Sequence, residues 1–503
     1  MAGRRRISSP LFFMNMPSAK PLSRHIPSLL LTVFLLAAYL HTMAPGLTWA
    51  NNGSDGGDLI TAACTGGIPH PTGYPLYLLL ARLFQTLPIG TLAFRTNLMS
   101  AVFAALAALL TYNIVDRTLN PKNLKHTWLA ALTAGLAFGL TPLVWSQAVI
   151  TEVHTLQAFL TALILSLYLL PNPRLDALRA LALGLAAGNH ITTLLLLPLL
   201  LVDFSTPGGN RLIPFASSLT RKLVWLAMGI SLYLTLPLRA HASPPVNWGN
   251  PITPERFWWL VSGSLYRSYY LQSPLLIMAE RIPAWASLML QQFGWLGIAL
   301  GSAGLIVFFQ PSRLYFSTLW VAGAYSAFAL AYSSDDSFLY LIPVCISVAV
   351  WIGLAIGHLL NAGNSKALAW GLGVLVAGYF LFYGMSHIAQ TNASSDQRAE
   401  MFGRQVMSEV PQDALVFVKG DRAVFTLWYF HFALGQRQDV IVIAEELLHF
   451  DWYVETLRAT YPALVIPAPL PWAETLVAAN SQRAVCYIQY TDVAEIECGR
   501  TQQ

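Results

Sequence analysis

Charge is what this sequence has least of. Only 11% of its 503 residues are Asp, Glu, Lys or Arg, against roughly 25% in an average soluble domain. The shortage is uneven: residues 1–390 hold 21 Lys+Arg and 10 Asp+Glu, whereas residues 391–503 hold 8 and 14. Length alone would suggest about three soluble domains, but 390 residues with ten acids cannot fold in water as such. The positive charge is scattered in short loops between apolar stretches, which excludes a nucleic-acid binder. Cysteine is scarce as well. Cys64, Cys345, Cys486 and Cys498 show no CxxC spacing, which excludes a zinc ribbon and a disulfide-built scaffold.

What the chain has in quantity is apolar sequence, 55% of its residues. A membrane span needs roughly 20 apolar residues. The runs near 28–48, 96–116, 127–146, 151–170, 222–238, 285–309, 314–332, 337–360 and 367–387 predict spans. The run 178–203 is interrupted by Gly188-Asn189-His190 and reads as two short legs, tolerable only where their polar break lines a cavity. These add up to a polytopic α-helical membrane protein with about 10–11 transmembrane helices, counting the two legs. With the N-terminus cytoplasmic and 178–203 turning back, 15 of the 21 basic residues fall inside, as the positive-inside rule requires. Seven of the ten acids then fall outside. The expected organisation is a cytoplasmic basic tail 1–27, a transmembrane domain 28–390 with outer loops 49–95 and 239–284, and an extracytoplasmic domain 391–503. Arg4-Arg5-Arg6 before an apolar run imitates a signal peptide, but the run is long and Trp49 is a poor neighbour for a cleavage site. A retained first span is the reading.

The few outward acids mark candidate chemistry. Asp55 and Asp58 stand three apart in a Gly-rich turn just past a span; they are expected to face one cavity, with the glycines admitting a substrate close to the backbone. Ile68-Pro69-His70-Pro71-Thr72-Gly73-Tyr74-Pro75 follows, and then a short apolar segment, Leu76 to Leu87, read as a helix in the membrane interface. Glu152 and His154 lie at the mouth of the span near 151, and Asn189 and His190 lie at the break between the legs. Ionisable residues at such depths are functional candidates, although a Glu at a helix N-terminus is also explained by the helix dipole. Loop 239–284 is aromatic, with Trp248, Trp258, Trp259 and Tyr266. Its Arg239 and Arg267 suit a phosphate at headgroup depth through paired N–H donors. The last outer loop offers Asp335 beside Asp336.

Residues 391–503 alternate two periods. The runs 414–418, 439–443 and 484–488 read as buried strands, and 397–409, 424–434 and 451–460 as helices, which makes a small C-terminal α/β soluble domain. It lacks a Gly-rich phosphate motif, and its excess of acids reads as a solvated surface and not the site. Whether Cys486 and Cys498 pair is left open by the sequence.

Asp55-Gly-Gly-Asp58, His70-Pro-Thr-Gly-Tyr-Pro75 and Arg95-Thr-Asn97 resemble the opening of the transmembrane-protein-260-like family of GT-C superfamily glycosyltransferases. The resemblance continues through Trp145-Ser-Gln-Ala-Val-Ile-Thr-Glu152-Val-His154, Gly188-Asn-His190, Pro237-Leu-Arg239 and Asn247-Trp-Gly249. It reaches the C-terminal domain in Leu427-Trp-Tyr429, Asp439-Val440 and Trp452-Tyr453. One departure stands out. Relatives commonly carry Asp-Ser-Gly-Glu, whereas here Gly56 replaces Ser and the second acid, Asp58, is one methylene shorter.

The resemblance implies a GT-C-like fold and transfer of a hexose, such as mannose, from a polyprenyl- or dolichyl-phosphate sugar to an acceptor hydroxyl on the non-cytoplasmic side. The acceptor is a protein, glycan or lipid. An inverting transfer needs one carboxylate as general base, and a leaving phosphate needs positive charge or donors. Asp55 is accordingly expected as base, with Asp58 or Glu152 as its positioning partner. Arg267, then Arg239, would hold the lipid phosphate. His70, Tyr74, His154 and His190 would contact sugar or phosphate, with Asn189, Trp248, Tyr266 and Asp335 completing the substrate-binding set. No metal-ligand set stands out, though a divalent metal is left open, and the lipid-phosphate-linked sugar is a substrate and not a resident cofactor. A bacterial plasma membrane is favoured over the endoplasmic reticulum, and no nucleic acid takes part. The competing readings are a transporter, which broken legs would suit, and a scaffold with an outward interaction domain. Against the transporter stand the lack of an internal repeat and the gathering of charge on one face.

Overall fold

A computed structural model describes residues 25–120, 126–170, 172–201, 212–269, 275–307, 312–362, 365–467 and 471–500. The basic tail up to Arg24, and Lys122, Lys125, Asp203 and Arg211 of the inner loops, lie outside the described residues. Among those described, six helices are long and apolar enough to cross a membrane: Leu92–Leu119, Leu219–Ala240, Met278–Ile306, Arg313–Ala331, Ser337–Ala362 and Lys366–Ser386. Three shorter apolar helices, Ile26–Thr42, His154–Leu169 and Ile191–Leu200, accompany them. The chain is an integral, multi-pass membrane protein. Helix starts are set by local chemistry. Thr91, Ser312 and Ser365 each accept the backbone N–H three residues on, satisfying a donor that the first helical turn leaves unpaired.

Three expected spans differ in detail. The run 127–146 is a pair of helices, Thr127–Gly139 and Pro142–Ala148, bent by 66°. Pro142 has no N–H to continue the first helix, and Thr141 caps the second by accepting from Val144 N. The run 285–309 belongs to a longer helix, Leu275–Ile306, broken at Gly294, whose φ of 64° only glycine adopts freely. The two legs appear as helix Asp176–Ala187 and a 3₁₀ turn Ile191–Leu196 followed by Pro198–Leu201. The first leg packs backbone to backbone on helix Leu212–Ile230, because a Cβ on Gly184 would stand 2.3 Å from the Leu226 carbonyl oxygen. Such small-residue contacts replace the hydrophobic effect as the driving force between helices in lipid.

The C-terminal domain holds a four-stranded sheet in the order β2-β1-β3-β4, with β1 Leu415–Val418, β2 Ile441–Ala444, β3 Ala484–Tyr490 and β4 Ala494–Arg500. β1 lies parallel to both neighbours, while β4 runs antiparallel to β3. The sequence reading found three of these strands. β4 escaped it because Ala494-Glu-Ile-Glu-Cys498 is a half-exposed edge with little apolar signal. A disulfide joins the directly opposed Cys486 and Cys498. The expected helix 424–434 starts earlier, at Asp421, and passes after Trp428 into a π turn, Tyr429–Ala433.

This domain is clamped onto the first outer loop. Asp396 accepts from the Thr48 hydroxyl at 2.6 Å and from Trp49 N at 3.0 Å. Trp49 Nε1 donates to Thr426 Oγ1 at 3.2 Å, and the Trp49 ring lies 4.3 Å from that of Tyr490. On the other side Arg256 meets both carboxylate oxygens of Glu455, at 2.6 and 2.9 Å.

Candidate functional site

Helix Gly56–Thr65 begins at Asp55, which occupies the capping position without using its side chain as a cap. Its carboxylate accepts from the Ser54 hydroxyl at 3.1 Å and sits at the positive end of the helix dipole. Asp58, one turn on, points elsewhere. It is fully buried and accepts three donors: His70 N at 2.8 Å, His70 Nδ1 at 2.7 Å and Trp248 Nε1 at 3.3 Å. The chain reverses after Gly66 and returns through Ile68, whose N–H donates to Val246 O at 2.9 Å. His70 is thus held by Asp58, and its Nε2 stands 3.6 Å from Asp55 Oδ2. Tyr74 completes the cluster, its hydroxyl 3.1 Å from His70 Nε2 and from Pro71 O. Tyr74 takes φ 41° at the start of helix Pro75–Gln85, a left-handed conformation that costs a non-glycine residue about 1–3 kcal/mol. These two hydrogen bonds hold it there.

Asp55, His70 and Tyr74 open into a cavity of about 560 Å³. Eight of the thirteen residues singled out in the sequence line it: Asp55, His70, Tyr74, Glu152, His154, His190, Tyr266 and Asp335. The other five do not. Asp58 and Trp248 stand behind His70, as its anchor and its packing partner. Asn189 is turned away, donating to Val153 O and Gln157 Oε1 at 3.2 and 3.3 Å, so it ties the break between the legs to the start of helix His154–Leu169. Arg239 reaches Gly67 O at 3.3 Å, and Arg267 is exposed outside the lining. Neither is among the residues that line the cavity.

Sequence reasoning missed several wall residues. Tyr269 and Tyr340 are among them, and Ser333 N donates to Tyr269 O at 3.0 Å, tying the two outer loops together. More consequential, Asp421 and Arg422 reach the cavity from the C-terminal domain, whose excess of acids is expected from the sequence to be solvated surface and not the site. Arg422 is the one Lys or Arg among the described lining residues. Its signal in the sequence is the helix opening directly after β1, since α/β sheets gather ligands at the carboxyl ends of their parallel strands.

The electrostatics follow from this crowding. Burial disfavours a charged His70, but Asp55, and then the hydrogen bond and charge of Asp58, outweigh it and push the ring up to about 9. Burial raises Asp55, with Asp58 and Asp336 adding to it and His70 opposing. Loss of water and then the charge of Asp55 lift Asp421 to about 6. Among the described residues no group of three or more His, Cys, Asp and Glu side chains is arranged to hold a metal ion. A pH dependence results. His70 lies above its ordinary 6.5, so its charge contributes to stability fully below about 6.5 and that contribution is lost as pH rises through about 9. Melting temperature is expected to decline over that window in the native chain, and the decline should flatten in His70→Gln.

Two family profiles match the chain. One, described as the N-terminal domain of protein O-mannosyl-transferase TMEM260, covers residues 55–206; the other, TMEM260-associated domain 2, covers residues 399–501. Protein O-mannosyl-transferase TMEM260 of mouse is 26% identical over 452 residues, 82% of this chain and 62% of the relative. Its counterpart in Dictyostelium discoideum is 21% identical, over 87% of this chain and 59% of the relative. The chain thus spans about three fifths of the length of the curated relatives it matches. Among solved structures, ArnT from Cupriavidus metallidurans superposes with a TM-score of 0.60 in its apo state, at 13% identity over 92% of this chain and 93% of that one. The same protein bound to undecaprenyl phosphate gives 0.59, at 13% identity over 93% and 94%. This likeness makes the fold a GT-C fold.

Proposed function

The chain belongs to the TMEM260 family, and from that premise we propose that it is a membrane glycosyltransferase. It moves a hexose, mannose by analogy with its relatives, from a polyprenyl- or dolichyl-phosphate donor to an acceptor hydroxyl of a protein, glycan or lipid. The observation that carries this reading is Asp55, a half-exposed carboxylate unused as a cap, facing a cavity that also holds Arg422. Asp55 takes the acceptor's proton as the hydroxyl oxygen bonds to the anomeric carbon. The bond from that carbon to the phosphate oxygen breaks from the opposite face, with inversion. The departing lipid phosphate keeps the electron pair and meets the Arg422 guanidinium, a group suited to bidentate contact with phosphate. His70, charged and held by Asp58, keeps Asp55 ionised and oriented; Glu152, Tyr266, His154, His190 and Asp335 shape the sugar pocket. The site faces away from the cytoplasm, in a bacterial plasma membrane or the endoplasmic reticulum. The positive-inside balance supports that orientation, as does the Cys486–Cys498 disulfide, because such bonds persist in oxidising compartments.

The test is a glycan profile resolved by mass. Cells lacking the chain should lose a hexose-bearing species that the native gene restores, and a profile unchanged by the deletion would discard the transferase. The placement of positive charge has its own test. Arg422→Gln should raise the donor KM about 10- to 100-fold, the worth of a charge-assisted hydrogen bond, with partial recovery in Arg422→Lys. Arg267→Gln should leave it within about twofold, as exposed substitutions generally do. The reverse ranking would return the phosphate to loop 239–284.

A further inference from the structure

A second concavity, of about 210 Å³, opens on the C-terminal sheet, apart from the one that holds Asp55. Its floor is the pair Phe417 and Tyr487, neighbours across β1 and β3, with ring centroids 5.4 Å apart and planes within 20°. Tyr487 is 41% exposed. The register builds the walls. Glu497 lies opposite Tyr487 and Glu495 opposite Gln489, so the two-residue period brings both carboxylates to the face of the floor. Lys419 and Glu445, which follow β1 and β2, close the other side as an ion pair of 3.1 Å. Only one oxygen of Glu445 is engaged that way; Oε2 is buried and lacks a hydrogen-bond partner among the described residues.

A buried acceptor without a donor calls for one, and three carboxylates against one ammonium leave the concavity negative. An aromatic face walled by carboxylates fits a guanidinium or ammonium group, attracted by the ring quadrupole and bonded through its N–H groups. A neutral sugar would stack on Tyr487 but leave the excess negative charge uncompensated. Position adds a second consideration. Lys419 at this rim lies two residues before Asp421 at the rim of the larger cavity, so the backbone separates them by at most about 7 Å. β4 is also an edge strand, beside which an extended chain can lie.

We propose that this concavity is an acceptor exosite. It holds an Arg or Lys side chain of a protein substrate while a Ser or Thr hydroxyl a few residues away reaches Asp55. The proposal rests on the transferase reading and adds a substrate class, proteins with a basic residue near the accepting hydroxyl. Its test uses the full chain in lipid nanodiscs and two fluorescent Ala/Gly peptides. Both carry one Thr; one carries a single Arg, where the other has Gln. The Arg peptide should bind about tenfold tighter, as one desolvated cation–π contact with charge-assisted bonds allows. Tyr487→Ala and the double variant Glu445→Gln, Glu497→Gln should each abolish that preference. At about 1 M salt, where the screening length is about 3 Å, the native chain should lose most of it too, a check that needs no variant. Equal affinity for the two peptides, a preference that survives the variants, or displacement of the Arg peptide by methyl α-mannoside would each overturn the exosite. Asp55→Asn separates the two readings: it should stop transfer and leave the peptide preference intact, so continued transfer by that variant condemns the base and not the exosite.

Discussion

Asp55→Asn is expected to lower hexose transfer by about 10²- to 10⁴-fold, the usual contribution of a positioned general base. Asn keeps the size of the side chain and can still meet the Ser54 hydroxyl, so the helix start at Gly56 should be undisturbed. What it removes is the acceptor of the proton and the charge 3.6 Å from His70 Nε2. With that charge gone, His70 should titrate lower than about 9, since Asp55 is the largest influence raising it. The measurement pairs an assay of transfer in reconstituted membranes with histidine titration by NMR. Full transfer in Asp55→Asn, with normal insertion, would eliminate the proposed base whatever happens to His70. Asp58→Asn should behave differently. Asn keeps one accepting oxygen, but its NH2 cannot accept from the donors that now meet the other; the hold on His70 weakens without loss of the base, so the effect should be smaller and should appear mainly as a shifted pH profile.

The contrast between those two acids shows how far the sequence could be read. Asp55, His70 and Tyr74 fall within one short run, which makes them legible as a cluster before any geometry. Their division of labour was not legible. Asp55 and Asp58 are three apart, which on a helix suggests one face, but Asp55 stands outside the helix and Asp58 within its first turn. The returning chain at His70 then claims Asp58 entirely. The legs were readable because Gly188-Asn189-His190 breaks an apolar run, whereas the destination of Asn189 depends on Gln157 in a neighbouring helix. Arg422 illustrates the limit. It shares the cavity with Asp55, 367 positions away; a helix opening directly after β1 points to a ligand-gathering end of the sheet but does not say which part of the membrane domain that end meets. The glycines of the first loop were read as room for a substrate, and one of them makes room for something else.

That glycine is Gly57, and Gly57→Ala is expected to unseat the C-terminal domain from the first loop. A Cβ there would stand 2.3 Å from the Phe425 carbonyl oxygen and 2.5 Å from its carbon, backbone atoms that no rotamer change can move aside. Overpacking of this kind costs about 1–3 kcal/mol, and the strain falls on helix Asp421–Trp428, whose first two residues line the cavity. Displacing that helix withdraws Arg422 from the cavity and lifts Phe425 off the His70 ring, now 6.3 Å away and nearly parallel. Transfer should therefore collapse with Asp55 untouched, and amide exchange should quicken across residues 421–433 before it does in the membrane helices. Gly56→Ala is the matched control. Its Cβ would meet Thr151 at 3.6 Å, an ordinary contact, and alanine is the better helix former by about 1 kcal/mol. If Gly57→Ala transfers hexose as well as Gly56→Ala, the C-terminal helix is not a required wall of the site, and the phosphate must find its positive charge elsewhere.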